Sequence, residues 1–297
     1  MSVVDLVGNT PIVSLDKLAP AEGARVWAKA EFLNPSGSVK DRAAKFMVLE
    51  GIGSGNFGPE KALIDATSGN TGVAYAMLGA ALGRRVILHM PANANYERKA
   101  LIKAYVAEIF ETDPLEGSDG AFISAQKEYL DNPDKYFFPN QYHNPANPLA
   151  HYRSTGPEIW SQTQGAVTHF VNSLGTSGTF VGTARYLKEK NDSIKTLIVQ
   201  PDSPFHGIEG TKHMGTTLKP SIYDIGLVDG EEIVSTAEAV AMAKKLARVE
   251  GLLVGISAGA NVTAALRIAA RLSPKERVVT VLGDSGSRYL SDGTWDG

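Results

Sequence analysis

The chain of 297 residues contains no cysteine. This absence excludes disulfide bonds, zinc–thiolate sites and a thiol nucleophile, so other groups must carry any chemistry. The six histidines do not occur at spacings typical of metal ligands, and we therefore expect no metal site.

Long apolar runs and a strong charge imbalance are missing as well. No segment approaches the run of about 20 apolar residues that a membrane helix needs, and the start MSVVD lacks the basic and apolar parts of a signal peptide. Lys and Arg number 29 against 32 Asp and Glu, so the net charge of −3 gives no global attraction for nucleic acid or an anionic membrane. We expect a cytoplasmic protein that binds a small molecule rather than nucleic acid or a membrane.

Apolar stretches alternate with helical patterns along a chain that has 43% hydrophobic residues, enough for one large domain or two closely joined ones. Strands are predicted at 11–15, 25–32, 62–66, 85–90, 108–112, 169–173, 196–200 and 277–282, and helices at 73–82, 96–106, 180–190, 236–250 and 261–272. The first two strands are close enough to pair antiparallel, and the others follow the βαβ rhythm that parallel sheets require. We therefore predict two α/β sheets that bind ligands at the carboxyl ends of their strands.

Two segments lack any apolar period. Residues 140–148, NQYHNPANP, predict a crossing between domains. Residues 201–223 form the longest aperiodic stretch, and loops of that length in compact domains are usually functional or mobile.

A turn-rich segment at 34–42, NPSGSVKDR, delivers Lys40 to the start of a predicted helix. A lysine forms an imine only when its amine is neutral part of the time, and partial burial near the positive end of a helix favours that state. A surface lysine that opens an amphipathic helix would show the same pattern. The segment alone does not decide between the two.

Two loops rich in hydroxyl groups and glycine each join a predicted strand to a predicted helix. Residues 67–72, TSGNTG, offer more capping groups than a helix start requires, which favours an anion site over a simple N-cap. Residues 175–179, GTSGT, are neither a P-loop nor a GxGxxG, and they suit a single terminal phosphate. A third segment, 255–260 (GISAGA), would by itself indicate only close helix packing.

These four segments, in this order and spacing, resemble the cysteine synthase family. Its members are the O-acetylserine sulfhydrylases, which are fold type II enzymes that use pyridoxal 5′-phosphate (PLP). The resemblance runs from residues 8–11, GNTP, to 288–291, RYLS, and is closest to the B-type branch. It implies an α/β protein of two three-layer αβα domains with mainly parallel sheets, as in the tryptophan synthase β-like fold, and with the cofactor in the cleft. Residues 1–39 with 145–297 would form the larger domain and residues 40–144 the smaller, mobile one.

The resemblance also implies a role for each site residue. Lys40 would bind the cofactor as a Schiff base and move the α-proton of the substrate, Asn70 would contact the ring oxygen, and Ser257 would face the pyridine nitrogen. The cofactor phosphate would lie on Gly175, Thr176, Ser177, Gly178 and Thr179, and the substrate carboxylate on Thr67, Ser68, Thr71 and Gln141. A hydroxyl does not hold a proton on the pyridine nitrogen as a carboxylate would, so prompt loss of the β-substituent is favoured.

The implied reaction replaces the β-substituent of O-acetyl-L-serine by sulfide or another sulfur donor, through an aminoacrylate, and yields L-cysteine. Lys212 lies about where related enzymes that use O-phospho-L-serine place a cation, and a solvated lysine on a loop is the alternative. On the resemblance we expect O-acetylserine rather than O-phosphoserine.

Two positions differ from the residues that are usual in the family, and the role of a third position is open. Ser177 stands where the phosphate loop usually has glycine, and a serine is poorly tolerated there if φ is positive. Ala258 stands where Ser or Thr is common. Asp284 would either border the cofactor or serve as an ordinary turn carboxylate.

Several other functions share parts of this pattern. A serine or threonine dehydratase, another β-elimination lyase or a bare cystathionine β-synthase core would use the same fold. A partner-binding α/β module is the non-enzymatic alternative, because some cysteine synthases bind the C-terminal tail of serine acetyltransferase in their active-site cleft. A plain nucleotide-binding module is disfavoured, since no nucleotide signature both follows a strand and opens a helix. The resemblance implies a homodimer, with that tail or a sulfur-carrier protein as candidate partners.

Overall fold

The structure is a computed structural model that describes residues 1–67 and 69–296. Its strands are β1 (Ile12–Ser14), β2 (Arg25–Ala30), β3 (Ala62–Ala66), β4 (Val86–Pro91), β5 (Glu108–Thr112), β6 (Tyr136–Phe137), β7 (His169–Ser173), β8 (Lys195–Pro201), β9 (Gly230–Val234) and β10 (Arg277–Leu282). Its α-helices are α1 (Lys40–Gly53), α2 (Asn70–Leu82), α3 (Tyr96–Ala104), α4 (Gly117–Asp131), α5 (Ala146–Arg153), α6 (Thr155–Gln162), α7 (Gly178–Lys190), α8 (Thr236–Lys245) and α9 (Ile256–Ala269).

The larger sheet has six strands in the order β1-β2-β10-β7-β8-β9. Strand β1 is antiparallel to β2, with Ile12 opposite Lys29, and the remaining neighbours are parallel. Both faces are covered, as the alternation of side chains shows. Val26 and Val278 pack into the core under α8 and α9, whereas Val279 packs into the core under α6 and α7.

The smaller sheet has four parallel strands in the order β5-β4-β3-β6. Along β3, Leu63 joins the core formed with α1 and α2, while Ile64 packs with Ala121 and Ala125 of α4 on the opposite face. Both sheets are therefore the middle layers of αβα sandwiches. The predicted fold of two mainly parallel α/β sheets is confirmed.

Two helices begin earlier than predicted, and the difference brings polar residues into their first turns. Helix α2 starts at Asn70 rather than at 73, and α9 starts at Ile256 rather than at 261. The early residues are small or polar, so they add little to an apolar period. Helix α8 ends at Lys245 and continues as a π-helical turn over Leu246–Glu250.

The sequence analysis also missed several elements: α4, α5, α6, β6 and β9. Helix α5 begins at Ala146, inside the segment 140–148 that was predicted to be a crossing loop, so that prediction was wrong at its end. Residues 202–223 contain no helix or strand, as predicted. Among the described helices, none has the length and apolar character needed to cross a membrane.

Candidate functional site

The carboxyl ends of β3, β7 and β10 meet at a cavity of about 480 Å³ and a smaller one of about 50 Å³ beside it. Four predicted site residues line both cavities: Lys40, Asn70, Gly175 and Thr176. The larger cavity is also lined by Thr67, Thr71, Gln141 and Lys212, and the smaller one by Ser177, Thr179 and Ser257. Gly178 is buried at the start of α7, and Ser68 lies outside the described residues. The structure thus brings three of the four segments, and Ser257 of the last, to one place.

Lys40 is the first residue of α1 and lines both cavities. Burial lowers the pKa of its amine, the carboxylate of Asp284 opposes this shift, and the nearby charge of Arg98 adds to it. A lowered pKa raises the fraction of neutral amine, which is the nucleophilic form. The surface-lysine alternative does not fit this position.

The conformation of the loop at 67–72 is stabilised by the side-chain hydroxyl of its first residue, Thr67. The Oγ1 atom of Thr67 accepts hydrogen bonds from the backbone N–H groups of Gly69 at 3.1 Å and Gly72 at 3.2 Å. Thr71 donates to Oε1 of Gln141 at 3.0 Å, and Gln141 donates to the backbone carbonyl of Ala66 at 3.3 Å. Gln141 is therefore tied to the loop at the start of α2.

Asn70 makes its contacts with the C-terminal segment. Its Nδ2 atom donates to Oδ2 of Asp284 at 2.7 Å, and its Oδ1 atom accepts from Nη1 of Arg288 at 2.6 Å. Asp284 is only 2% exposed, and its Oδ1 atom has no hydrogen-bond partner among the described residues. Asp284 thus lines the cavity with Lys40 and is more than an ordinary turn carboxylate.

The loop at 175–179 is closely confined. A Cβ atom on Gly175 would lie 2.4 Å from the carbonyl oxygen of Gly210, and one on Gly178 would lie 2.0 Å from Oδ1 of Asn147. Ser177 has φ of +72°, so this position does require the left-handed conformation that serine adopts with strain. Its buried Oγ atom also has no partner within the described part of the chain.

Asn147 links the two loops, a role that the sequence analysis missed. Its Nδ2 atom donates to the carbonyl of Gln141 at 2.7 Å and to Oγ1 of Thr176 at 3.0 Å. The residue lies in the segment 140–148, which we interpreted only as a crossing between domains. A polar side chain that is 2% exposed needs such partners, but sequence spacing does not reveal which ones.

A second network, also missed, closes one side of the site. Arg98 donates to the hydroxyl of Tyr289 at 2.8 Å and pairs with Glu209. The Tyr289 hydroxyl in turn donates to Oδ2 of Asp284 at 2.8 Å. Helix α3, the loop after β8 and the C-terminal segment are joined by these contacts, which depend on the packed fold.

Lys212 reaches the larger cavity from the loop after β8. Its backbone N–H donates to the carbonyl of Leu174 at 2.6 Å, and its Nζ atom lies 4.9 Å from the ring centre of Tyr142. Burial lowers the pKa of its amine, and Asp119 opposes that shift. The position agrees with a cation that faces the cavity.

Comparison with known proteins decides the family. Residues 3–284 match the family described as pyridoxal-phosphate dependent enzyme. The chain belongs to this family.

It is 47% identical to the cysteine synthase of Aquifex aeolicus, over 98% of this chain and 90% of that protein. It is 41% identical to cysteine synthase B of Escherichia coli, over 97% of this chain and 94% of that protein. A solved structure of cysteine synthase from Entamoeba histolytica superposes with a TM-score of 0.93 at 36% identity, over 99% and 90% of the two chains.

Membership in this family makes PLP the cofactor and confirms the predicted fold type. The residues at the site fit the group on their own chemistry. The smaller cavity is lined by the partly buried Lys40, by Gly175, which has no room for a Cβ atom, and by Ser177, whose hydroxyl has no partner among the described residues. Backbone N–H groups at the start of α7 add the positive end of a helix, which suits a phosphate.

Proposed function

We propose that this chain is a cysteine synthase that converts O-acetyl-L-serine and sulfide, or another sulfur donor, into L-cysteine and acetate. The observation that carries this proposal is the position of Lys40 between the loop at 67–72 and the loop at 175–179, where one molecule could contact all three. The names of the relatives from A. aeolicus and E. coli support the same activity.

We assign the cofactor to the smaller cavity and the adjoining part of the larger one, since both are lined by Lys40, Asn70, Gly175 and Thr176. Its phosphate would be held by Gly175, Thr176, Ser177, Gly178 and Thr179, and its ring by Asn70 and Ser257, with Lys40 as the covalent anchor. When bound, PLP supplies an electron sink for charge that develops at the α-carbon of the substrate. Asn70 is preset for its role, since Asp284 and Arg288 hold its amide in one orientation.

The substrate carboxylate is assigned to the loop at the start of α2. Thr67, Ser68, Thr71 and Gln141 would receive it. The first turn of a helix presents free N–H groups and a positive dipole end, which favour a carboxylate. Because Gln141 and Thr71 are hydrogen-bonded to each other, the loop and the Gln141 segment would move as one unit.

Lys40 is assigned the proton transfers. Its neutral amine takes the α-proton, acetate leaves from the β-carbon, sulfide adds to the β-carbon, and the lysine returns a proton to the α-carbon. A general base works best when both of its protonation states are accessible. Burial and Arg98 favour the neutral amine of Lys40 and Asp284 opposes them in part, so the net shift of the pKa is toward the neutral form that accepts a proton.

An absorbance spectrum of the purified protein tests the proposal. We expect a band near about 410 nm, the usual region for PLP bound to a lysine. O-acetylserine should replace it with a longer-wavelength band, and sulfide should restore it. Lys40→Ala should abolish the response, whereas Lys45→Ala, one turn along α1, should keep it. A colourless protein that takes up no added PLP would overturn the proposal and favour a partner-binding module.

Product analysis separates the enzymatic alternatives. With O-acetylserine and sulfide we expect cysteine as the main product. A dehydratase or β-elimination lyase would release ammonia and a keto acid without sulfide, and a cystathionine β-synthase core would require homocysteine to give a stable product. Either of these results, without cysteine formation, would assign the fold to the other activity.

The proposal extends to the organisation of the protein. We propose residues 1–39 with 145–297 as the larger domain and residues 40–144 as the smaller, mobile one. The smaller sheet lies wholly within the second range and the larger sheet wholly outside it, which supports this division.

We also propose a cytoplasmic homodimer. An acetyltransferase tail or a sulfur-carrier protein is the partner that we propose for the mouth of the larger cavity.

A further inference from the structure

His151 lies behind the loop at 175–179, where the sequence analysis assigned it no role. It belongs to α5 and is 1% exposed. Its Nδ1 atom is 2.9 Å from Oγ1 of Thr155, and its Nε2 atom is 3.2 Å from Oγ1 of Thr179. Both ring nitrogens therefore face hydroxyl groups, and one of those hydroxyls borders the smaller cavity.

Close packing fixes the imidazole relative to Thr179. Helices α5 and α7 approach so closely at Gly182 that a Cβ atom there would lie 2.1 Å from the carbonyl oxygen of Pro148 and 2.8 Å from Cβ of His151. The histidine cannot move away from the start of α7 without separating these helices. Burial and the charge of Arg42 lower the pKa of His151 to about 3, so the ring is neutral near pH 7.

A neutral imidazole donates from one nitrogen and accepts at the other. The two tautomers therefore differ in whether the Thr179 hydroxyl keeps its proton free for the cavity. If Nδ1 carried the proton, Nε2 would accept the only proton of the Thr179 hydroxyl. That hydroxyl would then turn lone pairs toward the cavity. A phosphate offers acceptors, so it would meet no donor from Thr179.

The opposite tautomer supplies the donor. With the proton on Nε2, His151 donates to Oγ1 of Thr179, and the hydroxyl proton of Thr179 is free to point into the cavity. Thr155 completes the chain, because its hydroxyl donates to Nδ1. Thr155, His151 and Thr179 then each donate one hydrogen bond, and the chain of donors runs toward the cavity.

We propose that His151 is a positioning residue that holds the Nε2–H tautomer and thereby makes the Thr179 hydroxyl a donor to the cofactor phosphate. This inference rests on the proposed assignment of the phosphate to the loop at 175–179. It specifies which group donates and which accepts in the hydrogen bonds between His151 and that loop.

The tautomer can be measured without a functional assay. Long-range ¹H–¹⁵N spectra of protein labelled with ¹⁵N-histidine, with the His151 signals assigned by their loss in His151→Gln, distinguish a protonated Nε2 from a protonated Nδ1. We expect Nε2–H in the PLP-bound protein, where the phosphate requires a donor from Thr179. A protonated Nδ1 in the PLP-bound protein would overturn the inference.

Variants test what the tautomer does. The amide nitrogen of glutamine can take the place of Nε2, so His151→Gln should keep the dissociation constant of PLP within about threefold, whereas His151→Met should raise it about tenfold. Thr179→Val should raise it by a similar factor. Thr183→Val is the matched control: its buried hydroxyl lies one turn along α7 and has no partner among the described residues, so the constant should not change.

The outcomes separate this inference from the proposed function. A protein that binds no PLP would overturn the proposed function, whereas a protein that binds PLP with Nδ1 protonated would overturn only this inference. Normal PLP binding by both His151→Met and Thr179→Val would overturn only the positioning role. If His151→Met does not fold, Thr179→Val and the spectra still decide the question.

Discussion

Oδ2 of Asp284 lies 2.7 Å from Nδ2 of Asn70, although the two residues are 214 positions apart in the chain. The same oxygen accepts from the Tyr289 hydroxyl, and the other oxygen has no partner among the described residues. Asp284 therefore places a buried carboxylate beside Lys40. The site combines an amine that must be neutral to react with an anion that favours its protonated form.

Replacing Asp284 by asparagine should lower the pKa of Lys40. A carboxylate stabilises a nearby ammonium, and its removal leaves burial and Arg98, which both favour the neutral amine. In the apoprotein we expect the pH profile of Lys40 modification by an amine reagent, followed by mass spectrometry, to move to lower pH. Asp292→Asn, at an exposed position in the same segment, is the control. An unchanged profile in Asp284→Asn would contradict the electrostatic role.

Replacing Ser177 by glycine should have opposite effects on the apoprotein and on cofactor binding. Glycine adopts φ of +72° without strain and removes a buried, unpaired hydroxyl, so we expect the free energy of unfolding of the apoprotein to rise by about 1 kcal/mol. Loss of a phosphate donor should weaken PLP binding several-fold. Urea unfolding and a fluorescence titration measure the two quantities.

A second residue with positive φ provides the control for that experiment. Gln164 has φ of +53° at an exposed position away from the cavities. Gln164→Gly should also relieve strain but should leave the affinity for PLP unchanged. Equal loss of affinity in both variants would show that the Ser177 hydroxyl does not contact the phosphate.

Lys212 should distinguish the two candidate substrates. A phosphate on the substrate would attract its ammonium, whereas an acetyl group carries no charge. Lys212→Met should therefore raise the KM for O-phosphoserine at least about tenfold and that for O-acetylserine less than about twofold. Lys219→Met, at an exposed lysine of the same loop, is the control. Equal changes for both substrates would assign Lys212 to packing against Tyr142 instead.

The parts of the site that could be predicted from the sequence are those whose chemistry is local. Lys40 and the loop at 175–179 each combine a strand end, turn residues and a helix start within a few positions, so their composition reports their role. Periodicity likewise predicted the strands of both sheets. Strand β6 was missed because two residues do not establish a period, and β9 was missed because glycine and two glutamates occupy its first three positions.

The contacts that could not be predicted join residues distant in sequence. Asn147 and Thr176 are 29 positions apart, and Arg98 and Tyr289 are 191 apart, so only the packed fold brings them together. His151 was missed for the same reason. A histidine on a short helix has no spacing that reveals a hydroxyl on another helix: Thr179 lies 28 positions away, and α5 itself was not predicted.

The burial of Asp65 leads us to expect an unusual dependence of the free energy of unfolding on pH. It lies in β3 and is 1% exposed, and one of its oxygens has no partner among the described residues. Burial raises its pKa to about 7, despite the hydrogen bond that Oδ1 accepts from the backbone N–H of Ala66. The folded state thus holds a proton that the unfolded chain has lost above about pH 4. The contribution of Asp65 to the free energy of unfolding therefore falls as pH rises from about 4 to about 7, and then levels off.

Asp65→Asn should remove this dependence, because the amide has the same shape and cannot ionise. The free energy of unfolding of the variant, relative to the parent, should rise by about 2 kcal/mol between pH 5 and pH 8. Urea unfolding at the two pH values measures the difference, with the exposed Asp131→Asn as control. Asp41, whose pKa burial raises to about 6, contributes a slope of the same sign, but it is present in all three proteins and cancels. A difference that stays constant between pH 5 and pH 8 would mean that Asp65 ionises in the folded protein as it does in water, with solvent reaching its unpaired oxygen.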